Sequence, residues 1–243
     1  MPASNAEVFW LSLGGSLIPC LLWLRFFYRR DRHLPEPKGL IAKLFLIGAV
    51  PVAFVSGLLN TALSQVVGLA ATAVIVAPLV EETFKYLGAK RGSRRHPAFD
   101  EPVDGMIYGV SVGLGFAAAE TLDYLIAAYQ GIDLWTGEAD ALCAGFECFA
   151  IVAVVRGIGS ALVHALCAGI AGYSLSRRVL DGKGRATAMR GVLLAALFHS
   201  LWNGAGLLAG FGVLLVAAVV FRRRLRKALA RSPHFDQELH APE

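Results

Sequence analysis

The stretch Pro78-Leu79-Val80-Glu81-Glu82-Thr83-Phe84-Lys85 closes an apolar run that begins at Ala70. Two adjacent carboxylates and an ammonium continue the same helical pattern. On a helix, Glu81 and Lys85 are i,i+4 and Glu82 and Lys85 are i,i+3, so all three can face one neighbour. Ionisable groups inside a membrane helix are costly and usually face a bundle interior or a water-filled cavity. The bland alternative is a cytoplasmic helix end whose side chains reach the interface.

The remaining sequence favours the membrane interior. The 243 residues are 56% hydrophobic and 17% charged, with a mean hydropathy of +0.58. That composition predicts an all-α polytopic transmembrane bundle of about seven to eight membrane helices. The net charge of +5 could indicate nucleic acid, but its distribution indicates topology. Of the 23 Lys and Arg, 22 fall in four segments, 25–43, 85–95, 177–190 and 222–231; the exception is Arg156. They alternate with uncharged turns, which places the N-terminus outside and the C-terminus in the cytoplasm. No nucleic-acid module or phosphate loop is present, and no nucleic-acid partner is expected. Cys20, Cys143, Cys148 and Cys167 lack zinc-type spacing and read as apolar fillers.

Expected spans are 8–28, with a kink at Pro19, then 40–59, 63–87, 104–129, 158–175, 191–208 and 212–221. A turn falls near Asn60. The stretch 141–176 is too long for a simple span and splits at Arg156-Gly157 into an outer amphipathic or re-entrant helix and a span. Residues 1–225 form one domain and 226–243 a polar cytoplasmic tail.

Other spans carry polar groups. Gly105, Gly109, Gly113 and Ala117 form an i+4 stripe that permits close helix approach, expected against the Glu-Glu span. Glu120 follows one turn later. His164 lies on a small-residue face between Ser160 and Ala168. His199 has Asn203 at i+4. At ~1.5 Å per residue, Glu82 lies ~12 Å from Lys90, His199 ~14 Å from Arg190 and His164 ~20 Å from Arg177, so these can share a layer. Glu120, ~24 Å from Asp104, fits that layer less well.

Two carboxylates in low dielectric share a proton, and one of them can take a proton from water and return it to a leaving amine. A His or Asn hydrogen bond would stabilise the oxyanion. Zinc held by His164, His199 and a Glu is the metal version, although no His-Glu-x-x-His helix is present. No cofactor is otherwise expected.

Glu81-Glu82-x-x-Lys85, Asp104-Gly-x-x-Tyr108-Gly109 leading to Gly115-Phe116-x-x-x-Glu120, His164 after Arg156, and His199-x-x-x-Asn203 resemble the PrsW family. So do Tyr28-Arg-Arg-Asp31 and Pro35-Glu36-Pro37. The likeness covers about residues 20 to 205. It implies a glutamate-dependent intramembrane endopeptidase in the bacterial plasma membrane. Its catalytic residues would be Glu81, Glu82, His164, His199 and Asn203, supported by Lys85, Glu120, Asp104 and Arg156. The implied substrate is a single-span membrane protein in the bilayer, such as an anti-sigma factor. The alternatives are a non-catalytic binding or immunity protein of the same fold and a proton-coupled transporter.

Overall fold

The computed structural model describes residues 4–31, 34–134, 136, 138, 139 and 144–232. Among them are seven continuous helical rods: α1 (Asn5–Tyr28), α2 (Lys38–Val67), α3 (69–93), α4 (Asp104–Gln130), α5 (Gly145–Val179), α6 (Arg185–Gly204) and α7 (Leu207–Leu229). By length and composition, α1, α2, α4 and α5 can each cross a membrane. The outer faces of α1, α2 and α5 are apolar: Trp10, Val50, Phe54, Val66 and Ile151 are each more than 60% exposed. With helices long and apolar enough to cross a membrane, such a surface suits a lipid environment.

α4 is the hub. Every residue from Asp104 to Ala118 is buried, and the helix packs on α1, α2, α3 and α5. Its glycine stripe does not face α3, as expected from sequence, but α5. A Cβ on Gly109 would lie 2.2 Å from the Ala168 carbonyl oxygen, and one on Gly113 would lie 2.6 Å from that of His164. Backbone therefore packs on backbone, with no room for a methyl group. Gly115, off the stripe, gives α2 the same proximity at the Phe45 carbonyl.

Three other expectations are corrected. The chain does not turn near Asn60: α2 runs on to Val67, and the turn falls at Gly68, whose φ of +85° suits glycine. The 145–179 segment is one 35-residue helix rather than a re-entrant helix plus a span. The expected break at Arg156-Gly157 is instead a π-helical turn, Arg156–Ser160, where the Ala161 amide bonds back to the Arg156 carbonyl. Cys148 is not a filler but is disulfide-bonded, whereas Cys20 and Cys167 are free and buried. Cys143 and the tail residues 233–243 lie outside the described residues. α1 continues as α-helix through Pro19.

Two further π turns occur at Gly48–Val52, around Pro51, and at Thr72–Val76, just before Pro78. Proline removes an amide donor and clashes with the carbonyl four residues back, so the helix widens there. Carbonyls in these turns find partners from elsewhere. Asn203 Nδ2 donates to Ala73 at 2.9 Å and Trp23 Nε1 to Gly157 at 3.1 Å.

Candidate active site

Four helices, α3 to α6, bring together the polar residues expected from sequence, and α2 adds Asn60. α3 supplies Glu81, Glu82 and Lys85 from one buried face. Lys85 is 1% exposed and spends its three donors on three acceptors: Glu82 Oε1 at 2.9 Å, His164 Nδ1 at 2.7 Å and Glu81 Oε2 at 3.5 Å. Its Nζ also sits 4.1 Å from the Phe116 ring centre. This is full satisfaction of a buried ammonium.

These contacts set the histidine tautomers. An ammonium only donates, so His164 Nδ1 accepts and its N–H is at Nε2, which faces Glu120 Oε2 at 2.9 Å. A carboxylate only accepts, so His199 donates from Nδ1 to Glu82 Oε1 at 3.1 Å and keeps a lone pair on Nε2. The two rings meet edge to face at 4.7 Å.

Glu120 reaches this layer because α4 and α5 run antiparallel. Gly109 opposes Ala168 and Gly113 opposes His164, so each step of four along α4 is a step of four back along α5. Seven residues past Gly113, Glu120 meets the neighbourhood of residue 157, and Arg156 Nη2 lies 2.9 Å from its Oε2. Arg156 also donates Nε to Thr121 at 3.3 Å and stacks 3.7 Å over the Tyr124 ring. The sole Lys or Arg outside the four basic segments thus has a partner for its charge. Three carboxylates, Glu81, Glu82 and Glu120, stand against two fixed cations, Lys85 and Arg156. One carboxylate is left without a fixed cation of its own.

The groups open on a cavity of about 500 Å³ whose wall includes Glu81, Glu120, Arg156, His164, His199 and Asn203, with Ile151, Val152 and Val155 on the apolar side. Glu82, 0% exposed, is not part of that wall. Asn203 lines the cavity, but its amide group is bonded to Ala73. Asp104 lies elsewhere, sixteen residues from Glu120 at the start of α4. Sequence reasoning missed Asn60, which donates Nδ2 to Glu81 Oε1 at 3.3 Å. The signal was the i+4 polar row Ser56, Asn60, Ser64, all buried.

Glu81, His164 and His199 each offer a ligand atom, and these lie within 4.8 Å of one another. Ligands of a tetrahedral zinc sit ~3.3 Å apart, by bond lengths near 2.0–2.1 Å. The donors suit zinc. Each histidine has one ring nitrogen backed by a carboxylate, the usual support for a ligating imidazole. A cation, Lys85 Nζ, already sits at His164 Nδ1.

A family profile described as PrsW family intramembrane metalloprotease matches residues 36–223. A Protease PrsW of Geobacillus kaustophilus is 35% identical over 118 residues, 47% of this chain and 52% of that one. The namesake of Halalkalibacterium halodurans is 29% identical over 196 residues, 79% of this chain and 81% of its own. That of Clostridioides difficile is 28% identical over 196 residues, 77% and 76% of the two chains. No solved structure matches the chain.

Proposed function

Because this chain is an intramembrane protease of the PrsW family, we propose that it cuts a membrane-embedded protein segment at the cavity centred on Glu81. The observation that carries this reading is that Glu81, not Glu82, faces the cavity beside both histidines. Glu81 takes a proton from water while His199 Nε2 accepts the second water hydrogen bond. The resulting hydroxide attacks the carbonyl carbon, and Glu81 returns the proton to the amide nitrogen as the C–N bond breaks. Glu82 and Glu120 hold the imidazoles, and Lys85 balances the Glu pair. Asn60 orients Glu81.

His199 gives its N–H to Glu82, and the His164 N–H stands beside Glu120, so both imidazoles point their N–H groups at carboxylates rather than at the oxyanion. Stabilising the oxyanion falls to Arg156, the cation in the cavity wall. Asn203 acts by holding the π turn of α3, and so the register of Glu81.

A second reading is favoured by the three ligand atoms and by the profile's description as a metalloprotease. Glu81, His164 and His199 would hold a zinc-class ion, which when bound acidifies water and polarises a carbonyl. Lys85 would then give up His164 Nδ1 to it.

The substrate is a single-span protein, of which an anti-sigma factor is one kind, whose helix unwinds locally to expose a bond. The N-terminus lies outside and the C-terminus in the cytoplasm. The basic segments support this, and so does the disulfide of Cys148, which belongs on an oxidising face. The site then lies near mid-membrane, ~18 Å along α3 from Ser93 and ~24 Å along α4 from Asp104.

The test is cleavage of co-reconstituted single-span proteins by wild type and Glu81→Gln, each with and without chelator. Loss in Glu81→Gln together with chelator resistance supports the glutamate reading. Chelator loss restored by zinc supports the metal reading. Cleavage undiminished in Glu81→Gln refutes both.

A further inference from the structure

A second buried acidic cluster lies at the opposite end of α4 from Glu120. Asp31 and Glu36, from the connection between α1 and α2, and Asp104, the first residue of α4, each bring a carboxylate oxygen within 4.8 Å of the other two. Their exposures are 3%, 3% and 0%. This is not the surface acidity common on proteins.

Local bonds account for only part of the cluster. The Tyr108 hydroxyl donates to Glu36. Asp104 Oδ2 accepts the amides of Asp100 at 2.9 Å and Glu101 at 2.6 Å. Both oxygens of Asp31 and Oδ1 of Asp104 lack a well-aligned hydrogen-bond donor, although the Leu34 amide acts on Asp31 and the Glu36 and Asp104 carboxyls act on one another. Among the described residues, no Lys, Arg or His pairs with Asp31, Glu36 or Asp104. Buried carboxylates without a cation carry a large desolvation cost. Burial, and then repulsion by Asp104, pushes the Asp31 carboxyl up to about 7. Burial likewise pushes Glu36 up to about 7, against the opposing Tyr108 bond.

An all-oxygen, multiply anionic set selects hard cations over zinc or copper. Oxygens at right angles on a calcium ion are ~3.4 Å apart, so small side-chain shifts would complete the set. We propose that Asp31, Glu36 and Asp104 bind a hard divalent cation of the magnesium or calcium class, which ties the α1–α2 connection to the first turn of α4. The site is independent of the proteolytic centre, ~24 Å away along the same helix.

The experiment uses the full chain in nanodiscs, stripped with chelator. Terbium is added alone, and its emission is excited through tyrosine, since Tyr108 touches the cluster. Calcium and magnesium then compete separately, and Tm is measured with each. Wild type is expected to show terbium emission displaced by one or both ions, and a Tm that rises with the displacing ion. Asp31→Asn and Glu36→Gln, read separately, should each bind at least tenfold more weakly and lose the Tm rise. Without cation, Asp31→Asn should melt no lower than wild type, because it removes a buried, unpaired charge. Glu81→Gln should keep the emission, which separates this site from the cavity. A wild-type Tm unmoved by millimolar calcium and magnesium overturns the proposal. So does a folded Asp31→Asn or Glu36→Gln that responds as wild type does.

Discussion

Gly113→Ala tests whether the site depends on the close approach of α4 and α5. The new methyl group would sit 2.6 Å from the His164 carbonyl oxygen, about 0.8 Å short of the 3.4 Å at which ordinary contact begins. Backbone cannot swing aside as a side chain can, so α5 must move at the residue that joins Lys85 to Glu120. Overpacking of this kind costs ~1–3 kcal/mol. Replacing a helical glycine by alanine returns ~0.8–1.0 kcal/mol, so the net stability loss should stay below ~2 kcal/mol. Misplacement of ~1 Å in a catalytic constellation can cost ~100-fold in rate. The expected result is a folded protein with a Tm only a few degrees lower and a cleavage rate lower by one to two orders of magnitude. Gly57→Ala, on α2 with nothing within 4 Å of the added methyl, is the matched control and should cleave normally. The assay is reporter cleavage in proteoliposomes alongside thermal unfolding. Wild-type cleavage by Gly113→Ala would show that the His164 register does not matter to the chemistry.

Glu81→Gln should lower cleavage by ~10²–10⁴-fold with little change in Tm, as expected for loss of a general base. Arg156→Gln should lower kcat by ~10²–10³-fold if it stabilises the oxyanion, with a smaller effect on KM. Lys85→Met leaves buried carboxylates without their cation and should cost ~3–5 kcal/mol in unfolding, whereas Lys85→Met with Glu82→Gln should recover part of that loss. Asn60→Ala should reduce kcat while the protein stays folded, since it removes a single hydrogen bond to the Glu81 carboxylate worth ~1.5–3 kcal/mol.

The sequence made much of this molecule legible. The basic segments and apolar runs marked the helices, and the ends of α1 and α4 fall within a few residues of expectation. Glu81, Glu82, His164 and His199 do share a layer. Glu120 did not fit a depth count from helix ends, because depth is set by which residues oppose across α4 and α5, and only backbone contact reveals that pairing. Asn60 sits amid leucines and glycine, where a short uncharged turn and a buried polar row look alike. The glycine stripe announced a close approach, but a stripe does not name its partner, and α5 rather than α3 proved to be it.

The π turn at Arg156–Ser160 changes how spacing in this chain should be counted. Arg156 and His164 are eight residues apart, which on an unbroken α-helix would put them about 80° out of alignment. With one residue absorbed in the widened turn they behave as neighbours at seven, about 20° apart, and so both reach Glu120. The bulge therefore acts as a silent insertion. A variant lacking one residue between 157 and 159, with a plain α-helix there, would present the same pair on the same face, so an arginine seven residues before the histidine and one eight before it are the same site written in two lengths.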